Sequence, residues 1–198
     1  MLHWSIISVC FSIFAFAAVA QHQGHDGGHT SPYAGQERRE IKSLSAGDIA
    51  ELERGGGWGL AKAAELNGIP GPAHLLQMRK EIGLTAEQVA KLEVIFKDMQ
   101  QKAIIEGKQL IEREKALEVA FRTGPVSDET LRKLLAQIET SRSALRYIHL
   151  AAHLTSPSLL TAEQIKLYNK LRGYDDDPCA SVPAGHDAKM WRLHNGCK

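Results

Sequence analysis

The pentapeptide Leu84-Thr85-Ala86-Glu87-Gln88 recurs as Leu160-Thr161-Ala162-Glu163-Gln164. In each copy an apolar residue precedes a threonine, a glutamine follows three positions later, and an amphipathic run begins. That is the pattern of a helix N-terminus closed by a capping box, in which the Thr hydroxyl bonds the Gln amide and the Gln side chain bonds the Thr amide. Two helix starts are thereby predicted, one at Thr85 and Gln88 and one at Thr161 and Gln164. The chain between them has room for two long helices and a tight return.

The periodicity fills that space. After Thr85, Val89, Leu92, Phe96, Met99 and Ala103 alternate in threes and fours, and Leu110, Leu117 and Phe121 resume the stripe. Unbroken, this is one helix of ~55 Å, with Gly107 as a bend point costing ~1 kcal/mol relative to Ala. Gly124-Pro125 ends it, and Ser127 or Asp128 caps the next. Leu131, Leu134, Leu135, Ile138, Leu145, Ile148 and Ala152 form that helix's stripe, so the two are expected to fold back as a long antiparallel hairpin. Pro72 starts a short helix with Leu75, Leu76, Met78 and Ile82 inward and Gly83 at its end. The Thr161 cap opens another, with Ile165, Tyr168 and Leu171 inward and Gly173 at its end. The expectation is an all-α hairpin clasped by two short helices.

Upstream, short helices are predicted over 36–44, over 45–54 (opened by Ser45 and Asp48, stopped by Gly55-Gly56-Gly57) and over 58–66. The glycine run lacks the preceding strand and the following Lys-Ser/Thr of a phosphate loop, so no nucleotide is expected, and Trp58 reads as a packing anchor. Net charge is +1, which gives no whole-chain reason for a nucleic-acid partner. Leu, Ala, Glu, Lys and Gln dominate over β-formers, in keeping with an all-α chain.

The first twenty residues look like an export signal: Trp4 to Ala20 is almost wholly apolar, carries no Asp, Glu, Lys or Arg, and ends in Ala18-Val19-Ala20. Cleavage before Gln21 is the expectation, a retained anchor the rival. Residues 21–35 then form a His/Gly-rich arm in which His22, His25 and His29 can take copper, nickel or zinc loosely, or simply belong to a solvated linker. Residues 36–69 make a short-helix extension, 70–173 the hairpin domain and 174–198 a tail. Cys179 and Cys197 are the two cysteines left after export. In an oxidising compartment they pair as a disulfide; reduced, they would be ligands for a soft metal.

The signal, the two Leu-Thr-x-x-Gln motifs and the hairpin resemble the Spy/CpxP superfamily of periplasmic stress proteins, whose members include the zinc-associated ZraP type and the nickel/cobalt-sensing CnrX type. The resemblance spans about 70–173. It implies an ATP-independent holdase for unfolded client proteins, often a homodimer, or a metal-sensing domain that signals to a membrane-bound regulator. The CnrX type is similar in joining a His-x-x-x-His pair, a His-x-x-x-Met pair and a carboxylate.

Histidines carry the functional expectation. His149 and His153 stand four apart and project from one face, as do His74 and Met78. Folding about Gly83 and Gly124 sets His74 opposite roughly Glu93 and His153 opposite roughly Phe96, so a pocket of His74, Met78, Glu93, His149 and His153 is geometrically possible. Such mixed ligands suit Zn, Cu, Ni or Co. The bland alternative is that the rings offset the helix dipole and Met78 fills core. In the tail, His186, Met190 and His194 fall at steps of four and would align on one helical face as a second candidate.

No hydrolase elbow, His-Glu-x-x-His or nucleotide loop appears, so a non-enzyme is expected. Three functions follow: a periplasmic metal-binding stress protein with holdase activity, a heavy-metal sensor domain, and a simple His-rich metal store.

Overall fold

The computed structural model describes residues 31–174 and 178–197. These contain helices and turns and no strand, so the fold is all-α. Its helices are α1 (Ala46–Glu53), α2 (Lys62–Glu65), α3 (Pro72–Gln77), α4 (Ala86–Thr123), α5 (Asp128–Thr155), α6 (Ala162–Leu171) and α7 (Ala188–His194), with 3-10 turns at Gln36–Arg38 and Ser156–Leu159. The expected signal over 1–20 and the arm histidines His22, His25 and His29 lie outside the described residues. Residues 31–35, part of a separate compact unit, make a turn closed by the Ala34 amide on the Ser31 carbonyl. Among the described residues no helix is long and apolar enough to cross a membrane.

Both predicted capping boxes form, with each threonine hydroxyl accepting from the amide three residues on and each glutamine carbonyl accepting from the threonine amide. Ser127, not Asp128, caps α5 by accepting from the Thr130 amide. α4 runs unbroken for 38 residues and packs against the 28 residues of α5. Polar contacts tie the pair midway: Ser141 Oγ donates to Glu106 (2.6 Å), Arg113 to the Gln137 carbonyl (2.8 Å), and Arg142 to Glu114 (2.5 Å).

Gly107 is not a bend. It is buried inside a continuous helix, and a Cβ there would collide with the carbonyl of Leu52. The residue is small because α1 crosses α4 backbone to backbone. Leu52 belongs to the core cluster beneath that crossing, with Ile41, Leu44, Ala103, Leu110, Ile138 and Leu145.

The upstream helices are shorter than the periodicity predicts. Over 36–44 only Gln36–Arg38 is helical. Ile41 and Leu44 are driven into the core, while the Lys42 amide bonds Glu118 and the Ser43 hydroxyl bonds Glu114, so polar groups of this segment are spent on α4. Over 58–66 only Lys62–Glu65 is α-helical; Trp58 has φ +42°, which a helix cannot continue from. The segment after Pro72 leaves regular helix at Gln77 and reaches Gly83, at φ +70°, through hydrogen-bonded turns.

At the end of the long helices near Gly124 the stripe is not covered. Phe121 and Leu135, both predicted inward, are 60% and 43% exposed because none of α1, α2, α3 or α6 has its core there. Leu171, at the end of α6, is also exposed.

Candidate functional site

The two pentapeptides, far apart in sequence, meet. Gln88 Nε2 donates to Gln164 Oε1 (2.8 Å) and Gln164 Nε2 donates back to Gln88 Oε1 (3.1 Å). Each amide also reaches a backbone carbonyl, Gln88 that of Leu159 (2.8 Å) and Gln164 that of Gly83 (3.3 Å). Since each Oε1 also accepts its own threonine amide, the repeat builds one reciprocal junction in which both glutamine carbonyls and amides are engaged. Beside it Leu75, Ile82, Leu92 and Tyr168 form a second core cluster.

Behind this junction lies a cavity of about 480 Å³. Its walls come from the glycine-rich segment around Trp58, from α2 and the start of α3, from Phe96, Met99 and Gln100 of α4, from His149 and His153 of α5, and from Arg172 and Tyr174 after α6. The indole of Trp58 is positioned by its Nε1–H donating to Asp48 (2.8 Å), and the Arg142 guanidinium lies 5.4 Å over the ring.

Of the five residues predicted to share a metal, the structure brings His74, His149 and His153 to this cavity and leaves two outside. Glu93 is exposed and lines a separate groove with Arg79 and Lys80, and Met78 packs on the core cluster around Leu75. The fold-back arithmetic placed Glu93 about opposite His74, but α3 ends at Gln77 and turns, so its register against α4 is lost. Two other residues stand in the cavity wall instead: Met99, read from sequence only as a stripe position, and Glu65, which no motif singled out.

The histidines differ in their commitments. His153 Nδ1 donates to the Ile69 carbonyl (2.8 Å), and its ring packs so closely on Gly71 that no Cβ fits there. His74 Nδ1 lies 3.1 Å from Glu65 Oε1. His149 is only 3% exposed, and its Nε2 has no hydrogen-bond partner. Burial, and secondarily the neighbouring His153, lower the pKa of His149, so its ring is held neutral.

Glu65 is the opposite case. Its Oε1 accepts from Tyr174 (2.7 Å), Tyr168 (2.8 Å), Arg172 Nε (3.1 Å) and His74 (3.1 Å). Burial pushes this carboxyl up, but the hydrogen bonds from His74, Tyr174 and Tyr168 outweigh it and hold the pKa at about 2. The same burial and the adjacent carboxylate raise the Tyr168 phenol. Through Oε1, Glu65 therefore ties α6 and the segment after it to α2.

As a test of the expected metal, the five-residue set does not assemble, and the unpaired Nε2 of His149 is enclosed by the protein. Among the described residues no group of three or more His, Cys, Asp or Glu side chains is arranged to hold an ion.

The tail takes a different form from the predicted one. Cys179 and Cys197 are joined as a disulfide, Cα to Cα 5.5 Å, so they offer no thiolates. α7 carries Met190 and His194, but His186 precedes the Asp187 cap and instead packs edge-on to Trp191 at 4.9 Å. His186, Met190 and His194 thus do not share one helical face. Trp191 anchors the loop by donating to the Pro178 carbonyl (2.7 Å).

Neither protein-family models, nor curated proteins, nor solved structures give a match to this chain.

Proposed function

We propose that this chain is a periplasmic stress protein of the Spy/CpxP kind: an exported, ATP-independent holdase whose α4 and α5 act as a long antiparallel hairpin, clasped by α3 and α6. It works as a non-enzyme and, by the same resemblance, as a homodimer. The observation that carries the reading is the outer surface of the two long helices. Val94, Ile105, Phe121, Leu135, Tyr147 and Leu154 are exposed there, set among Lys, Arg and Glu. Apolar side chains in a charged field, on a body fixed by the twin caps, suit weak contact with unfolded chains. The protein should slow aggregation of an unrelated denatured protein at near-stoichiometric ratio. No effect, with or without metal, would remove the reading, and N-terminal sequencing of exported protein tests the cleavage after Ala20.

A second reading, uptake or sensing of a divalent transition metal (Zn, Cu, Ni or Co), is favoured by the neutral, unpaired imidazole of His149 one turn from His153. A bound ion would be held by imidazoles, with Met99 as the available thioether in place of Met78, and a membrane-bound regulator would read the change. Calorimetric titration with the four metals should show a tight site that is lost in a His149→Ala, His153→Ala variant. Binding unchanged in that variant would instead place the metal on other histidines, such as His22, His25 and His29, and favour simple storage.

A further inference from the structure

We propose that Asn195 is a site of spontaneous deamidation: its side chain cyclises onto the Gly196 amide nitrogen, and the carboxylate that results loosens α7. The inference goes beyond the holdase and metal readings and rests on neither.

The sequence holds two Asn-Gly pairs, Asn67-Gly68 and Asn195-Gly196. Glycine lacks the Cβ that otherwise shields a backbone nitrogen, so in both pairs that nitrogen can approach the preceding side-chain amide carbon. Locally the two are closely alike. Each pair follows a short helix, α2 or α7, and each glycine lies in the left-handed region, at φ +73° and +67°. Each asparagine is exposed, and its Nδ2 donates to the carbonyl four residues back at 2.8 Å. The amide after each glycine, that of Ile69 or Cys197, returns to the carbonyl of Ala64 or Arg192.

Tertiary packing separates them. Asn169 of α6 lies against Gly68 and donates to its carbonyl (3.4 Å), the Ile69 carbonyl accepts from His153 (2.8 Å), and Pro70 is buried. The rotation that would bring the Gly68 nitrogen onto Asn67 Cγ breaks these contacts, so this pair is protected. Nothing comparable holds Gly196. Its amide reaches the Leu193 carbonyl at 3.4 Å, residues 192–196 are exposed, and a Cβ added to it would meet no atom within 4 Å. The disulfide ties the next residue, Cys197, only to Cys179, which is itself exposed.

In the reaction the Gly196 nitrogen bonds to Asn195 Cγ, the Cγ–Nδ2 bond breaks, and ammonia leaves with the proton of the Gly196 amide. Water then opens the succinimide. Addition at Cγ gives an aspartate; addition at the main-chain carbonyl gives an isoaspartate, whose backbone runs through Cβ. Either product loses the Nδ2–H that bonds the Trp191 carbonyl and puts a negative charge at the C-terminus of α7, where the helix dipole is also negative. The isoaspartate also adds a backbone carbon inside the loop closed by Cys179 and Cys197.

The test holds the mature chain, disulfide intact, in mildly alkaline buffer and follows both pairs by peptide mass spectrometry and isoaspartate methyltransferase labelling. In the folded protein Asn195 should react about tenfold faster than Asn67, and in denaturant the two rates should converge. That comparison needs no variant. Asn195→Gln should remove the tail signal. Trypsin should cut Asn195→Asp after Arg192 about threefold faster than the unsubstituted chain, because the last turn of α7 is weakened. No product at Asn195 in the folded protein, equal rates at the two sites or a faster Asn67 would overturn the proposal, and unchanged cleavage of Asn195→Asp would overturn its effect on α7.

Discussion

The glutamine junction and the cavity behind it sit at the same end of the long helices, yet treat buried polarity in opposite ways. At the junction both side-chain carbonyls and both side-chain amides of Gln88 and Gln164 are engaged, between themselves or with backbone. At the cavity one wall holds Glu65, with four donors on a single oxygen, and the facing helix holds His149, with a nitrogen that has none. The contrast separates groups that hold the fold together from one whose burial costs it stability. A fully satisfied network stabilises because breaking it strands its members; an unsatisfied buried group costs stability.

The sharpest way to break the comparison is Glu65→Ala. It leaves Tyr168 and Tyr174 without their acceptor and Arg172 without its carboxylate, and chemical denaturation should show a loss of about 3–5 kcal/mol. A loss under 1 kcal/mol would mean that the network does not hold α2 to the segment after α6.

Acid should expose the same residue. Because the folded pKa of Glu65 is depressed to about 2, its contribution is complete above the unfolded value near 4.5 and is lost as pH falls toward 2. That amounts to ~3 kcal/mol at most. The part of acid destabilisation between pH 4.5 and 2 due to this group should disappear in Glu65→Gln, and unfolding curves identical in both proteins would refute the assignment.

The junction predicts a smaller, coupled effect. In a double-mutant cycle Gln88→Ala and Gln164→Ala should show an interaction of about 1 kcal/mol. Strict additivity would mean that each glutamine only caps its own helix.

His149→Leu should have the smallest effect and the opposite sign. Removing an orphaned buried nitrogen for an apolar group of similar size is expected to be neutral or to stabilise by up to about 1 kcal/mol. A marked destabilisation would show that the imidazole has a structural partner and would erase the contrast with Glu65.

Much of this end was legible in sequence, but unevenly. The caps were readable because Thr and Gln three apart satisfy one another locally, whatever the rest of the chain does. His149 and His153 were readable as a pair because helical spacing alone puts i and i+4 on one face. Met99 could have been placed with them by the same fold-back arithmetic that set His153 opposite Phe96, since it lies one turn further along that helix. Glu65 could not: it stands in a short helix among Ala and Lys, and its partners Tyr168, Arg172 and Tyr174 come from more than a hundred positions away. Gly107 misled for a related reason. Its want of a side chain reads as flexibility until α1 is seen lying on it.

The sequence by itself determined the helical class, the starts of α1, α4, α5 and α6, and the candidate pairing of Cys179 with Cys197. All of these rest on hydrogen bonds and periodicities spanning a few residues, or on a count of two cysteines. Tertiary structure alone decided that the repeated motifs join through their glutamines, that Glu93 and Met78 stay out of the cavity, that Glu65 is locked, and that His149 is left unpaired. Those outcomes depend on the register between elements, where a single turn ending early at Gln77 moves every side chain beyond it, and no local pattern encodes that shift.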